Sequence, residues 1–179
     1  MPLLLLIGGA RSGKSELALR LAREQKAPVV FLATGEAGDD EMTARIEQHR
    51  RERPPSWQTL EEPIRLRETL ETVDEQSCVV IDCLTLWAAN ALERLGAADT
   101  ETHAEAAAAT AAARTGLTIA VSNEVGLGLV PDNPLGRSYR DLLGRVNTLW
   151  ADAAENVYLL VAGRAIPLAT TEALSELLP

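Results

Sequence analysis

The sequence predicts an α/β fold of three layers, in which helices cover both faces of a mostly parallel β-sheet. Two observations carry this prediction. Short apolar runs, typical of strands that are buried on both faces, recur along the chain. Segments with helical spacing separate these runs, and strands that alternate with helices form parallel sheets through right-handed crossovers. No internal repeat or linker interrupts the alternation, and we therefore expect residues 1–179 to form a single domain.

Six segments are expected to be strands. Five of them are almost wholly apolar, and the third in chain order is more polar. They are residues 3–7, 28–33, 57–61, 78–83, 116–121 and 157–162.

Helix signals lie between these strands. Asp39 is a suitable N-cap, and acidic residues follow it where they favour the amino end of a helix. Pro63 suits the first turn of a later helix. The alanine-rich stretch 102–114 has the highest helix propensity. Seven helices are expected: one that starts directly after residue 13, one over about 39–52, one that starts at 63, three over 84–95, 102–114 and 133–154, and a short one in the tail. Residues 96–99 are expected to be a surface connection.

The most informative segment follows the first strand. It has the spacing of a phosphate-binding loop, and it lies between an apolar strand and a helical pattern, the context that this motif requires. Its residues are Gly8, Gly9, Ala10, Arg11, Ser12, Gly13, Lys14 and Ser15. In such a loop backbone N–H groups and the positive end of the helix converge on phosphate oxygens. We therefore expect the fold of a P-loop nucleoside triphosphatase of the RecA-like type.

The same segment could be a glycine-rich turn that binds no ligand, but the distribution of lysines in the chain favours a phosphate-binding loop. The chain has fifteen arginines and only two lysines, and one of the two occupies the position that the loop requires. Lys14 would reach the β- and γ-phosphates, and the hydroxyl of Ser15 would hold Mg²⁺. Asp82, an acid that closes a buried strand, is the expected second Mg²⁺ contact, direct or through water. An acidic residue often ends a strand without binding any ligand. Asp82 is therefore expected to contact the metal only because the chain also has a phosphate-binding loop.

Composition limits the remaining classes. Hydrophobic residues make up 46% of the chain and charged residues 24%, which is typical of a folded soluble domain. A net charge of −9 argues against a general nucleic-acid binder. The apolar start is too short for a signal sequence or a membrane span. Cys78 and Cys83 are not at a metal-ligand spacing, and we expect them to be free thiols of a cytoplasmic protein.

His49 has two interpretations from spacing alone. Met42, Ile46 and His49 share one helical stripe, with Arg50 and Arg53 close by. The imidazole could be incidental on a charged, solvated helix end. It could also be a nucleophile toward phosphorus, a role that requires the neutral form, which an ordinary histidine mostly adopts above about pH 7. Spacing favours the first interpretation.

Several motifs together resemble a known family. They span nearly the whole chain, and those around His49 and Asn123 are more specific than the loop. They are residues 8–15, Ala33-Thr34, Asp39-Asp40-Glu41-Met42-x-x-Arg45-Ile46-x-x-His49-x-x-x-Arg53-Pro54, Trp57-x-Thr59, Asn123-Glu124-Val125-Gly126-x-Gly128-x-Val130-Pro131 and Arg140-Asp141-x-x-Gly144-Arg145-Val146-Asn147. The pattern resembles the bifunctional adenosylcobinamide kinase / adenosylcobinamide-phosphate guanylyltransferase family of cobalamin biosynthesis.

The resemblance implies a two-step enzyme. It would phosphorylate adenosylcobinamide with ATP or GTP and then transfer GMP from GTP through a guanylyl-histidine, giving adenosylcobinamide-GDP. The guanylylated histidine of the family falls on His49, which reverses the preference from spacing. The family also implies Mg²⁺ and a homotrimer. Its nucleotide contacts fall on residues 8–15, Ala33, Thr34, Gly35, Arg50, Arg51, Glu52, Arg53, Glu61 and Asp82.

Two alternatives remain open from the sequence. A member of the same family could have kept only the kinase or only the guanylyltransferase activity. A module of another class could bind GTP and signal through a partner, in which case it would form no covalent intermediate and would not need His49. The site of the corrinoid and a general base for the kinase step are not indicated by any motif.

Overall fold

A seven-stranded sheet organises the protein, and a computed structural model describes its residues 3–171 and 173. The strands are β1 (Leu3–Gly8), β2 (Val29–Ala33), β3 (Gln58–Glu61), β4 (Cys78–Asp82), β5 (Thr118–Asn123), β6 (Asn156–Val161) and β7 (Arg164–Pro167). Their order is β3-β2-β4-β5-β1-β6-β7. All neighbouring pairs are parallel except β6 and β7, which are antiparallel. The predicted α/β fold with a mostly parallel sheet is confirmed.

Six helices connect the strands. They are α1 (Lys14–Arg23), α2 (Asp40–Arg51), α3 (Leu66–Thr72), α4 (Leu84–Leu95), α5 (Ala97–Ala113) and α6 (Pro134–Ala153). Asp39 caps α2 as expected, because its side chain accepts a hydrogen bond from the backbone N–H of Met42 at 2.7 Å. Asn133 caps α6 in the same way through Gly136. No helix in the described part of the chain is long and apolar enough to cross a membrane.

The apolar runs are continuous because the sheet buries both of its faces. Along β1, Leu3 and Leu5 pack on one side with α3 to α6, whereas Leu4 and Leu6 pack on the other side with α1. Each such leucine contributes about 1.5–3 kcal/mol by leaving water. The first side also holds the two fully buried tryptophans, Trp87 and Trp150; the second holds Phe31, with Trp57 packed against it.

Three segments differ from the sequence predictions. The expected surface connection at 96–99 is wrong, because Gly96 alone joins α4 to α5 by adopting a φ of 82°. Helix α3 begins at Leu66 rather than at Pro63. The carboxylate of Glu62 accepts hydrogen bonds from the N–H groups of Ile64 and Arg65, which holds the intervening segment in a turn.

The chain after β6 also differs. A tight turn at Ala162 and Gly163, both with positive φ, reverses the chain into β7, an antiparallel edge strand that the sequence did not predict. The expected tail helix falls largely on residues outside the described part of the chain.

Candidate active site

The P-loop connects β1 to α1 at the carboxyl edge of the sheet. Gly8 is required there, because a Cβ atom at this position would overlap the backbone oxygen of Leu160 on β6. Gly13 caps α1 with a φ of 97°, a conformation that favours glycine. The ammonium group of Lys14 donates to the backbone oxygen of Gly9 at 2.7 Å. The loop therefore folds around its own lysine.

The turn between β6 and β7 supports this loop from outside. The backbone N–H of Gly163 donates to the backbone oxygen of Ser12 at 3.0 Å. The α-carbon of Gly163 would also lie 3.5 Å from a Cβ atom placed on Gly13. The unpredicted hairpin thus restrains the middle of the P-loop.

Asp82 ends β4 opposite the loop and stands between two functional groups. Its Oδ1 atom accepts a hydrogen bond of 3.5 Å from the hydroxyl of Ser15. Its Oδ2 atom lies 3.9 Å from Nδ1 of His49, which is also 3.9 Å from a carboxylate oxygen of Glu52. The side chain of Asp82 is only 15% exposed, and that of His49 is 38% exposed. The histidine on α2 and the P-loop therefore meet at a single carboxylate.

Thr34 fixes the chain just after Asp82. Its hydroxyl accepts a hydrogen bond from the N–H of Cys83 at 2.8 Å and donates to the carbonyl of the same residue at 2.7 Å. The amide of Asn90 in turn donates to the carbonyl of Thr34 at 2.9 Å. Thr34 is fully buried, so its side chain does not form part of the site's wall. It instead holds the residue that follows β4 from beneath the site.

A cavity of about 1250 Å³ opens between the P-loop, α2 and the ends of β2 and β4. Fourteen residues that the sequence assigned to the site line it. They are Ala10, Arg11, Ser12, Gly13, Lys14, Ser15, Ala33, Gly35, His49, Arg50, Glu52, Arg53, Glu61 and Asp82.

Four assigned residues do not line this cavity. Gly8 and Gly9 lie at the base of the loop, and Thr34 is buried beneath it. Arg51 is exposed on α2, where it faces Glu47 at 4.0 Å.

The charges around the cavity are partly removed from water. Burial lowers the pKa of Lys14, although Cys83 and Asp82 nearby act in the opposite direction. Burial likewise lowers the pKa of Arg53. It raises the pKa of Asp82, and this upward shift is partly offset by His49, by the hydrogen bond from Ser15 and by the charges of Arg53 and Lys14. Cations held in such a setting interact with an anionic ligand more strongly than they would in water.

Arg53 is held in the cavity wall by an aromatic ring and a hydroxyl group. Its guanidinium lies 3.7 Å from the centre of the Phe31 ring and donates to the hydroxyl of Thr59 at 3.3 Å. Its Nε atom is buried without a hydrogen-bond partner among the described residues. Arg50 forms an ion pair with Glu61 at the rim. These arginines lie within one turn of His49, as the sequence predicted.

Ser15 and Asp82 fit the requirements of Mg²⁺. Both offer oxygen atoms, the donor type that Mg²⁺ prefers, and Mg²⁺ normally takes one or two protein ligands and completes its shell with water and phosphate oxygens. The described part of the chain holds no cluster of three or more His, Cys, Asp or Glu that would form an all-protein site. The donor set therefore suits a metal that arrives with a nucleotide.

Comparison with known proteins identifies the family. The profile described as cobinamide kinase / cobinamide phosphate guanyltransferase matches residues 4–168. The chain belongs to this family. The bifunctional adenosylcobalamin biosynthesis protein CobP of Pseudomonas aeruginosa is 45% identical over 165 residues, which covers 92% of this chain and 95% of the relative. CobU of Escherichia coli, which carries the same bifunctional description, is 36% identical over 180 residues, with 93% and 99% covered.

Solved structures of low identity share the fold. A protein of Pyrococcus horikoshii OT3 has a TM-score of 0.57 at 10% identity, covering 95% of this chain and 87% of that one. An ATPase from the type III secretion system of pathogenic bacteria has a TM-score of 0.53 at 15% identity, covering 97% and 60%. These likenesses confirm the architecture and carry no information about the substrate.

The sequence missed several residues of the cavity wall. Met42 and Ile46 were placed on the stripe of His49, and both line the cavity beside it. The sequence indicates Asn123, at the end of β5, only as part of a motif. The signal that would have assigned it to the site is the strand order, which places β5 between β1 and β4.

Proposed function

We propose that this enzyme carries out both reactions described for its family. It phosphorylates the hydroxyl of the aminopropanol arm of adenosylcobinamide with a nucleoside triphosphate. It then transfers GMP from GTP to the new phosphate through a guanylyl-histidine on His49, giving adenosylcobinamide-GDP and pyrophosphate. The observation that carries the proposal is the shared cavity, in which His49 and the P-loop contact the same carboxylate of Asp82.

The position of His49 in the cavity supports the proposed guanylyl transfer. A neutral imidazole nitrogen attacks the α-phosphorus of GTP, the bond to the bridging oxygen breaks, and pyrophosphate leaves with that electron pair. The phosphate of the corrinoid then displaces the histidine. Covalent catalysis of this kind divides one difficult displacement into two easier ones. Lys14, Arg50 and Arg53 would stabilise negative charge that develops on the phosphates.

The kinase step uses the P-loop. Lys14 and the loop amides hold the β- and γ-phosphates, while Ser15 and Asp82 would hold Mg²⁺, whose chemistry is to neutralise charge on those oxygens. Positioning supplies most of the catalysis in phosphoryl transfer. We also propose that the other residues assigned to the nucleotide site by the family resemblance contact the nucleotide. Thr34 is the exception, because it would act indirectly by holding the backbone of Cys83.

Labelling with nucleotide tests the proposal. The protein is incubated with α-³²P-GTP and Mg²⁺, denatured, and examined for protein-bound label that is stable to alkali and labile to acid, as a phosphoramidate is. The control variant changes the other histidine of the chain, His103 on α5. We expect the wild type and His103→Ala to be labelled and His49→Ala to remain unlabelled. Equal labelling of all three would remove His49 from the mechanism. A GTP-binding regulatory module or a kinase-only member of the family would show no label in any of them.

A second measurement concerns the loop. Lys14→Ala should abolish the transfer of label from γ-³²P-ATP or γ-³²P-GTP to adenosylcobinamide while the circular dichroism spectrum stays unchanged. Kinase activity at the wild-type level would overturn the assignment of the loop. A wild-type protein that shows only one of the two activities would be a single-activity member of the family.

The assembly and location are further parts of the proposal. We propose one catalytic domain, acting in the cytoplasm as a homotrimer. The single sheet and the two free thiols of the described chain support the first two statements. Four exposed apolar side chains between β5 and the start of α6 support a subunit interface, namely Leu127, Leu129, Val130 and Leu135. Sedimentation should give a mass three times the 19.2 kDa of the chain.

A further inference from the structure

Asn123 occupies a position at which a side chain can reach a phosphate held by the P-loop. It is the last residue of β5, the strand that separates β1 from β4. Asn123 pairs with Gly8, where the P-loop begins, and Val121, two residues earlier, pairs with Asp82. Because neighbouring strands lie about 4.8 Å apart, Asn123 stands between the loop and the acid at the carboxyl edge of the sheet.

The side chain lies on the face of the sheet that carries the P-loop helix. Side chains alternate along a strand, so Asn123 shares a face with Val121. Val121 packs in the same cluster as Ala18 and Leu19 of α1. Both Val121 and Asn123 line the cavity. The amide of Asn123 makes no hydrogen bond with any described residue, and it is therefore available to a ligand.

Hydrogen bonds fix the backbone of Asn123 on both sides. Its N–H donates to the hydroxyl of Thr85 at 2.8 Å, and its carbonyl accepts from the amide of Asn147 at 3.0 Å. The next N–H, that of Glu124, donates to the carbonyl of Gly8 at 3.1 Å. The last contact ties the residue after Asn123 to the start of the P-loop.

The groups that hold Asn123 are themselves buried. The hydroxyl of Ser122 donates to the amide oxygen of Asn147 at 2.6 Å, and the hydroxyl of Tyr139 donates to the carbonyl of Thr85 at 3.0 Å. Ser122, Thr85 and Asn147 are at most 9% exposed. The network satisfies the backbone groups at the end of β5 and thereby fixes the position from which the side chain of Asn123 lines the cavity.

We propose that Asn123 is a catalytic residue of the kinase step, whose side-chain amide donates a hydrogen bond to an oxygen of the transferring γ-phosphoryl group. This inference rests on the proposed function. The acceptor hydroxyl oxygen forms a bond to the γ-phosphorus, and the bond to the β,γ-bridging oxygen breaks with its electron pair leaving on the nucleoside diphosphate. The hydroxyl proton passes to a phosphoryl oxygen and then to solvent. The amide takes no proton; it stabilises the charge on the transferring group.

The two activities of the proposed enzyme give the test an internal control. We expect Asn123→Ala to lower the kcat of phosphoryl transfer from γ-³²P-GTP to adenosylcobinamide by about 100-fold, the usual effect of removing one such donor. The KM for GTP should stay within about threefold, because the loop still holds the nucleotide. Labelling of His49 by α-³²P-GTP should persist, which also shows that the variant is folded.

Two further variants complete the series. Asn123→Asp keeps the shape but adds a negative charge beside the phosphates, and its kcat should be no higher than that of Asn123→Ala. Asn156→Ala changes the same residue type at the opposite, amino-terminal edge of β6 and should retain wild-type kinetics. Melting curves of all variants check folding independently.

Three results would overturn the inference. The first is a kinase kcat of Asn123→Ala within about threefold of the wild type. The second is a raised KM with unchanged kcat, which would make Asn123 a binding residue only. The third is loss of both activities in a folded variant. A wild-type protein without kinase activity would instead remove the proposed function, and this inference with it.

Discussion

Nδ1 of His49 lies 3.9 Å from Oδ2 of Asp82, while the other carboxylate oxygen of Asp82 accepts a hydrogen bond from Ser15. One carboxylate at the end of β4 thus contacts both the helix that carries the proposed nucleophile and the loop proposed to hold phosphate. The two proposed reactions therefore depend on the same side chain.

Replacement of Asp82 should affect both reactions. Asp82→Asn keeps the shape but removes the charge that faces Ser15 and His49, and we expect a loss of about 10- to 100-fold in kinase turnover and in the rate of His49 labelling. Asp82→Glu keeps the charge and should retain most of the activity. Asp152→Asn, an exposed acid on α6, serves as the matched control. A normal rate of labelling in Asp82→Asn would show that the carboxylate serves only the P-loop.

The hydroxyl of Thr34 should matter more than its methyl group. Thr34→Val removes both hydrogen bonds to the backbone of Cys83. The carbonyl of Cys83 keeps its bond from the N–H of Trp87, but the N–H of Cys83 is left unpaired, which should lower the free energy of unfolding by about 1–3 kcal/mol. Thr34→Ser keeps the hydroxyl and should lose less. Urea denaturation measures the stabilities. If the valine and serine variants unfolded at the same urea concentration, the hydrogen bonds between Thr34 and Cys83 would make no contribution to the free energy of unfolding.

Lys14 should trade stability for ligand binding. Burial lowers its pKa, so the folded protein carries a desolvation penalty for the charged amine at every pH below that lowered pKa. The penalty fades as the pH rises toward 10.5, the ordinary lysine value. Lys14→Met removes it. Without nucleotide we therefore expect Lys14→Met to melt at or above the wild-type temperature, as read by calorimetry at pH 8.

Nucleotide should reverse that order. At a GTP concentration of 100 times Kd the wild type gains about 2.7 kcal/mol, or about 5–10 °C in Tm, whereas Lys14→Met should gain almost nothing. Lys26→Met, which changes the only other lysine, should respond to GTP as the wild type does. A GTP-dependent rise in the Tm of Lys14→Met equal to that of the wild type would contradict the assigned role.

The thiol of Cys78 should be nearly inert in the folded protein. Burial raises its pKa from 9.0 to about 11. Folding therefore favours the protonated thiol, a contribution that is complete below about pH 9 and is lost as the pH rises through about 11. At pH 8 the thiolate fraction is about 100-fold smaller than in the unfolded chain, since two pKa units separate them.

Alkylation measures this difference directly. Iodoacetamide is added at pH 8 with and without 6 M urea, and the peptide that contains Cys78 is quantified by mass spectrometry. We expect at least a 100-fold slower reaction without urea, because burial also blocks access to the thiol. Equal rates in the two conditions would mean that the amino end of β4 opens freely.

The sequence predicted best what is encoded locally. The P-loop follows from eight consecutive residues and their flanks. The stripe that places His49 toward the protein follows from helical spacing, and Met42, Ile46 and His49 are indeed all half-buried. The N-cap at Asp39 is equally local. Each of these features needs no knowledge of how distant segments meet.

The features that the sequence did not predict depend on contacts between distant segments. Asn123 belongs to the cavity only because β5 lies between β1 and β4, an order that no local pattern encodes. The hydrogen bonds of buried Thr34 depend on the approach of Cys83, the residue that follows β4. Strand β7 pairs with β6, and the turn between them contacts Ser12 of the P-loop through Gly163. Neither contact follows from the pattern of apolar runs.

The division of the tryptophans between the two sides of the sheet has an optical consequence. Trp87 and Trp150 are sealed among the helices of one side, so their fluorescence will shift only when the whole molecule denatures. Trp57 is partly open to solvent and packs on the other side, close in the chain to Arg53. A protein in which Trp57 is the sole emitter would therefore report events around the cavity, whereas the two sealed indoles would report unfolding.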